Sequence, residues 1–223
     1  MPPAALADTV GATVPSGVRT EDVLQALRLR TAILHRALDE RVPIAGNAPS
    51  LGDYLQHLLA LQPWLSAMLA WRARQAVGPD AHAELQPQPQ LDWIAEDLRV
   101  AGPAACAAAA ARVPSAPTAP WPDEAGAAYR WGAAYVLEGS SLGASVLYRR
   151  LAGPLAPQPL RFLQASGGMP GPRWARFCQL MRQEVQGPAD IAQACAGAAD
   201  AFGRLLAVYP GPLATAAVLE PAA

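Results

Sequence analysis

Arg28, Thr31, His35 and Leu38 recur at three- and four-residue intervals in "LRLRTAILHRALD", so in a helix they form one stripe beside the apolar positions Leu24, Leu27 and Leu34. An imidazole at the margin of an apolar stripe, with a cation two turns away, has the layout to hold an iron-porphyrin: ring nitrogen on the metal, guanidinium on a propionate. A half-buried helix histidine beside a surface arginine has the same pattern, and this segment alone does not separate the two.

About a hundred residues later the chain reads "GAAYVLEGSSLGASVLYRRL", in which Gly139, Ser140, Ser141 and Gly143 interrupt amphipathic helix. Each glycine in a helix costs about 0.5 to 1 kcal/mol relative to Ala, and each serine about half that. Something offsets that loss. Gly139 and Gly143 lie four apart on one helix face, where their lack of a side chain admits either a closely packed second helix or a flat ligand lying on bare backbone. Periodicity fits both.

Other chemistry finds no pattern. His57 sits among leucines and reads as a packed, hydrogen-bonded core residue, and His82 lies in the proline-rich "PDAHAELQPQPQ" as a solvated loop residue. No Glu-x-x-His pair is present for a di-iron bundle, no Cys/His cluster for structural zinc, and no nucleophile elbow or phosphate-binding loop. If the chain is an enzyme, a cofactor brings the reactivity.

The elements that must carry these residues are helices. Ala, Leu, Arg, Gln and Glu dominate the patterned segments and no alternating strand pattern can be assembled, so the fold class is all-α, with six to eight helices in one domain. Thr20 is the expected cap of a first helix running to about Arg41. Ser50 and Asp53 form a capping box for a long helix that Pro63 should kink, and Asp123 caps the long helix through Leu151. "LRFLQAS" is a short helix, "GGMPGP" a loop, and two helices follow. Residues 17–210 form the domain; residues 1–16 and 211–223, rich in Pro, Gly and Ala, are expected as flexible tails.

A net charge of -1 with dispersed Arg and Lys argues against nucleic-acid binding. Three cysteines without CxxC spacing (Cys106, Cys178 and Cys195) fit reduced core thiols and a cytoplasmic location. Neither a signal peptide nor an apolar span of membrane length is present, so no membrane association is expected.

Taken together, "LRLRTAILHRALD", "YVLEGSSLGASVLYRRL" and "GMPGPRWARFCQLM", in this order from about residue 22 to 208, resemble the bacterial haem oxygenases, including those that make biliverdin for bacteriophytochromes. The resemblance implies a single-domain helical bundle in which haem lies between a proximal helix and a kinked distal helix. His35 matches the proximal iron ligand, and Gly139 and Gly143 match the distal glycines that leave room for dioxygen, with Ser140 able to bond to ordered water there. Arg28 and Thr31, with Tyr135, are the accompanying cofactor-binding candidates, Arg28 for a propionate; Arg173 and Arg176 are weaker ones. The implied reaction takes haem, as substrate and cofactor, with O2 and electrons from an external reductase or ferredoxin, to biliverdin, CO and Fe(II); a bacteriophytochrome is a possible recipient. Two departures stand out: Ser140 replaces an aspartate common in relatives, and Ala144 replaces a second glycine, which would narrow the pocket by one methyl. They leave open a non-catalytic haem carrier or sensor on the same fold, or a helical bundle without haem.

Overall fold

A computed structural model describes residues 22–114, 119–167 and 170–209, and among them the chain is all α-helical in a single domain, with no strand. Eight α-helices follow one another: α1 (Val23–Arg41), α2 (Leu51–Arg72), α3 (Gln90–Ala101), α4 (Pro103–Ala110), α5 (Ala127–Leu151), α6 (Arg161–Gly167), α7 (Pro170–Glu184) and α8 (Gly187–Ala207).

Local chemistry explains most boundaries. Asp22 caps α1, its carboxylate accepting from the Leu24 N–H at 3.0 Å, whereas the expected cap, Thr20, lies outside the described residues. Ser50 and Asp53 close the capping box of α2 as anticipated, and that helix continues through Pro63 without a break. Asp123 does not cap α5. It lies in a turn and pairs with Arg74, and the helix starts four residues beyond it, after Gly126. The expected loop before α7 is shorter than its composition implies, because Pro170 and Pro172 fall in the first helical turn, where a missing N–H leaves no bond unmade.

Two helices hold the rest together. α5 and α8 cross antiparallel through Gly132 and Gly197: a Cβ on Gly132 would stand 1.8 Å from the Ala194 carbonyl oxygen, and one on Gly197 2.0 Å from that of Tyr129. Ala133, Ala194, Ala198 and Ala201 are fully buried around this contact. Along its other side α8 carries α1, so the extensive packing of α1 and of α5 is on α8 and not on each other.

Buried polar groups fix the remaining pieces. The Asp97 carboxylate accepts from the Tyr54 hydroxyl at 2.6 Å and from the backbone N–H groups of Arg161 and Phe162 at 2.9 Å, which ties α2 and α3 to the start of α6. Burial and the neighbouring Asp97 charge push the Tyr54 hydroxyl pKa up. The segment before α5 is anchored by Trp121, which stacks on Trp71 at 4.8 Å, while the Arg130 and Arg204 guanidiniums lie over Trp71 and Trp121. None of the three cysteines is in a disulfide.

Two stability measurements test this account. Gly132→Ala or Gly197→Ala should lose about 3 kcal/mol or more in urea unfolding, although either raises helix propensity, because backbone has no rotamer with which to yield. A variant within about 1 kcal/mol of the wild type would contradict the crossing. Separately, His57 is buried beside Tyr209, hydrogen-bonded at 2.9 Å, and burial holds its pKa down at about 4 against an ordinary 6.5. The unfolded imidazole gains a proton on acidification while the folded one stays neutral. This contribution is therefore complete above about pH 6.5 and declines by roughly 3 kcal/mol as the pH falls to 4. Unfolding free energies of wild type and His57→Phe across that range should converge towards acid; parallel profiles would reject the assignment.

Candidate functional site

His35 stands on the outer part of α1 with 65% of its side chain exposed. Its Nδ1 lies 3.1 Å from Asp39 Oδ2, one turn further along, and its ring meets Phe202 of α8 edge-on at 5.9 Å. A carboxylate on Nδ1 favours the tautomer that leaves a lone pair on Nε2, pointing away from the contact. Among the described residues no group of three His, Cys, Asp or Glu side chains is placed to hold a metal ion. A metal taken up through His35 therefore brings its other ligands with it.

The stripe around His35 divides in the fold. Thr31 is 4% exposed and its hydroxyl donates to the Leu27 carbonyl of its own helix at 2.8 Å, so it acts here as a packing residue of α1 and offers no group to a ligand. Arg28 stays exposed and reaches across to Tyr135 of α5. Burial raises the Tyr135 hydroxyl pKa, and the Arg28 charge beside it works in the opposite direction. The two residues thus form a cationic corner between α1 and α5.

α5 passes through Gly139–Gly143 unbroken. The hydroxyls of Ser140, Ser141 and Ser145 each donate to the carbonyl three residues earlier, at 2.6, 2.7 and 2.9 Å, a local pattern associated with helix bending. In this arrangement Ser140 presents acceptor lone pairs to a neighbour, its proton being committed to Leu137.

No helix backbone packs closely on the two glycines, although the Trp174 side chain of α7 lies against Gly139. A Cβ at Gly139 would meet Trp174 at 3.7 Å, an ordinary contact, and one at Gly143 would meet nothing within 4 Å. Leu142 and Val146, on the same side, are 38% and 56% exposed. The close-packing role that small residues can have belongs to Gly132, two turns earlier on this face, and not to Gly139 or Gly143. Ala144 corrects a further expectation: its methyl is buried in the core at 6% exposure, so it narrows nothing on the Gly143 side.

Several residues that shape the site carried no local signal. Glu138, the first residue of "EGSSLG", is buried and receives both Arg173 Nε and Nη2 at 2.7 Å, a bidentate pair between α5 and α7. Arg173 also donates to the carbonyls of Glu84, Leu85 and Gln86, and Arg176 pairs with Glu84, so both arginines are occupied structurally. Trp174 follows, against Gly139 and Tyr135. Asp39 carries no signal beyond being a carboxylate one turn after a histidine. His82, expected in solvent, packs against Trp131 at 5.6 Å between ring centres and lies 3.7 Å from Glu184.

The fold therefore joins Arg28, Tyr135, Trp174 and Gly139 in a chain of contacts, and leaves His35 without a direct contact to either glycine. Any single molecule that touches His35 and the open face of α5 has to bridge α1 and α5.

Comparison with known proteins bears on the family alone. No family model and no solved structure matches the chain. A protein named heme oxygenase from Xanthomonas campestris pv. campestris (strain 8004) is 36% identical over 111 residues, 49% of this chain and 60% of that relative. The chain thus matches over about three fifths of the relative's length, and the likeness supports the haem oxygenase family. No described helix is long and apolar enough to cross a membrane.

Gly143→Ala should raise stability by about 0.5 to 1 kcal/mol, since it gains helix propensity in open space. Thermal or urea unfolding of the ligand-free protein measures this directly, and a destabilised variant would reveal packing that the structure does not contain.

Proposed function

We propose that the protein is a haem oxygenase, acting within residues 17–210, that opens haem to biliverdin with release of CO and Fe(II), using O2 and electrons from an external reductase or ferredoxin. The observation that carries the proposal is the open backbone at Gly143, with only the Trp174 ring in ordinary contact range at Gly139, so that glycine has no steric reason at either position in the ligand-free fold. The curated relative of that name supports it. Haem, the substrate, supplies the iron and the ring that is cleaved.

The chain's own residues have separate tasks in this reading. His35 Nε2 binds the iron, with Asp39 holding the imidazole in the tautomer that keeps that nitrogen unprotonated. Arg28, beside Tyr135, meets a propionate. Gly139 and Gly143 let the macrocycle and dioxygen approach the helix backbone, and Leu142 and Val146 line the approach with aliphatic surface. Ser140, its proton given to Leu137, accepts from water bound there. The same chemistry fits a cytoplasmic protein that hands biliverdin to a bacteriophytochrome.

The second reading, a haem carrier or sensor without turnover, loses half of its basis because the Ala144 methyl lies in the core; Ser140 remains in its favour. Hemin titration followed by addition of an electron donor in air separates the readings. The wild type should give a sharp Soret band and then a bilin spectrum. A stable complex that never yields bilin favours the carrier, and no complex rejects both. His35→Ala should abolish the axial-histidine signature, and Asp39→Ala should weaken hemin binding about tenfold while leaving the fold intact. Unchanged spectra and affinity in both variants would overturn the ligand assignment.

A further inference from the structure

The face of α5 that carries Gly139 and Gly143 is blocked at one end. Trp174 places two carbons of its benzo ring, Cζ3 and Cη2, 3.7 Å from where a Cβ of Gly139 would be, and one turn further on Gly143 has nothing within 4 Å. The indole thus terminates the open strip formed by Gly143, Leu142 and Val146. It is held firmly. Phe177, fully buried one turn along α7, lies nearly parallel to it at 5.6 Å and 13°, and Tyr135 tilts against it at 5.5 Å. The preceding residue, Arg173, is fixed by Glu138 and three carbonyls, so the first turns of α7 have little freedom to withdraw.

We propose that Trp174 is a specificity-determining residue: its indole, standing at Gly139, fixes where the macrocycle seats along α5, and hence which ring edge lies over Gly143. The inference rests on the haem reading above. A porphyrin is close to fourfold symmetric in outline, so backbone and aliphatic side chains discriminate poorly among its in-plane positions. A rigid aromatic edge at one end of the strip breaks that symmetry, and the cation at Arg28 orients the propionate edge. Together they choose one seating.

Two variants test it. Trp174→Ala removes the stop, and Trp174→Phe keeps a ring over Phe177 but withdraws the outer benzo edge that touches Gly139. In the ferric hemin complex, the hyperfine-shifted methyl resonances should show a single dominant seating in the wild type and a second, comparably populated set in both variants. Hemin affinity should fall roughly threefold to tenfold in Trp174→Ala, and the bilin produced should change from one positional isomer to a mixture. Unchanged methyl shifts, isomer ratio and affinity in the folded Trp174→Phe variant would overturn the proposal even if Trp174→Ala failed to fold. A wild type that binds hemin tightly while neither variant alters its seating would reject this inference alone, whereas a wild type that does not bind hemin would remove the haem reading and this inference with it.

Discussion

Backbone contact between α5 and α8 at Gly132 and Gly197 is the constraint from which the remaining arrangement follows. Side chains of ordinary size hold packed helices 8–10 Å apart, and a crossing in which a single methyl would strike a carbonyl brings the axes nearer than that. Such proximity makes α8 the common support of α5 and α1, and it fixes the face of α5 used for packing. Gly139 and Gly143 are seven and eleven residues beyond Gly132, on nearly the same face of a helix with 3.6 residues per turn. That face is sealed at its start and uncovered further along. The open strip follows from where the two helices touch.

Charge then determines how much of the uncovered face is filled. Glu138, beside Gly139 in sequence, points inward, and its bidentate pair with Arg173 draws the start of α7 over the first of the two glycines. Arg72 is held in turn by Asp80, with Nη1 4.0 Å from Glu138. Removing one member of such a buried set leaves an uncompensated charge, so the set specifies position more strongly than its net contribution to stability implies. One consequence is that Trp174 is delivered to a defined place at the end of the strip. Another is that Arg173, which its sequence block makes a candidate for binding carboxylate, already holds one in Glu138.

Helix identity was legible because each helix declares itself locally: apolar spacing in α1, a capping box at α2, Gly102 before the alanine run of α4. Local chemistry misleads where the fold gives a residue another role. Asp123 has the side chain of a cap and is paired with Arg74 instead; Thr31 belongs to the expected stripe and is turned into the core, bonded to its own helix. The candidate site is legible only in part. Spacing marks His35, Gly139 and Gly143 as candidates, but it does not tell the two roles of glycine apart, because Gly132 and Gly197 are far apart in sequence and only the fold brings them together. Trp174 and Asp39 acquire meaning in the same way, through neighbours that periodicity does not identify.

The cost of the open strip can be weighed against what the ligand-free fold returns. At Gly132 and Gly197 any side chain collides with backbone, so their low helix propensity is offset by packing that alanine could not achieve. At Gly139 and Gly143 alanine would fit, and each would add about 0.5 to 1 kcal/mol of helix stability. Three serines bonding to their own helix carbonyls compound the weakness. A segment that sacrifices one to two kcal/mol of roughly 5 to 15 without steric compensation has its justification in a state the ligand-free fold does not contain. Under the proposed function, a flat ligand lying on the exposed backbone, with His35 as its second point of attachment, is that state.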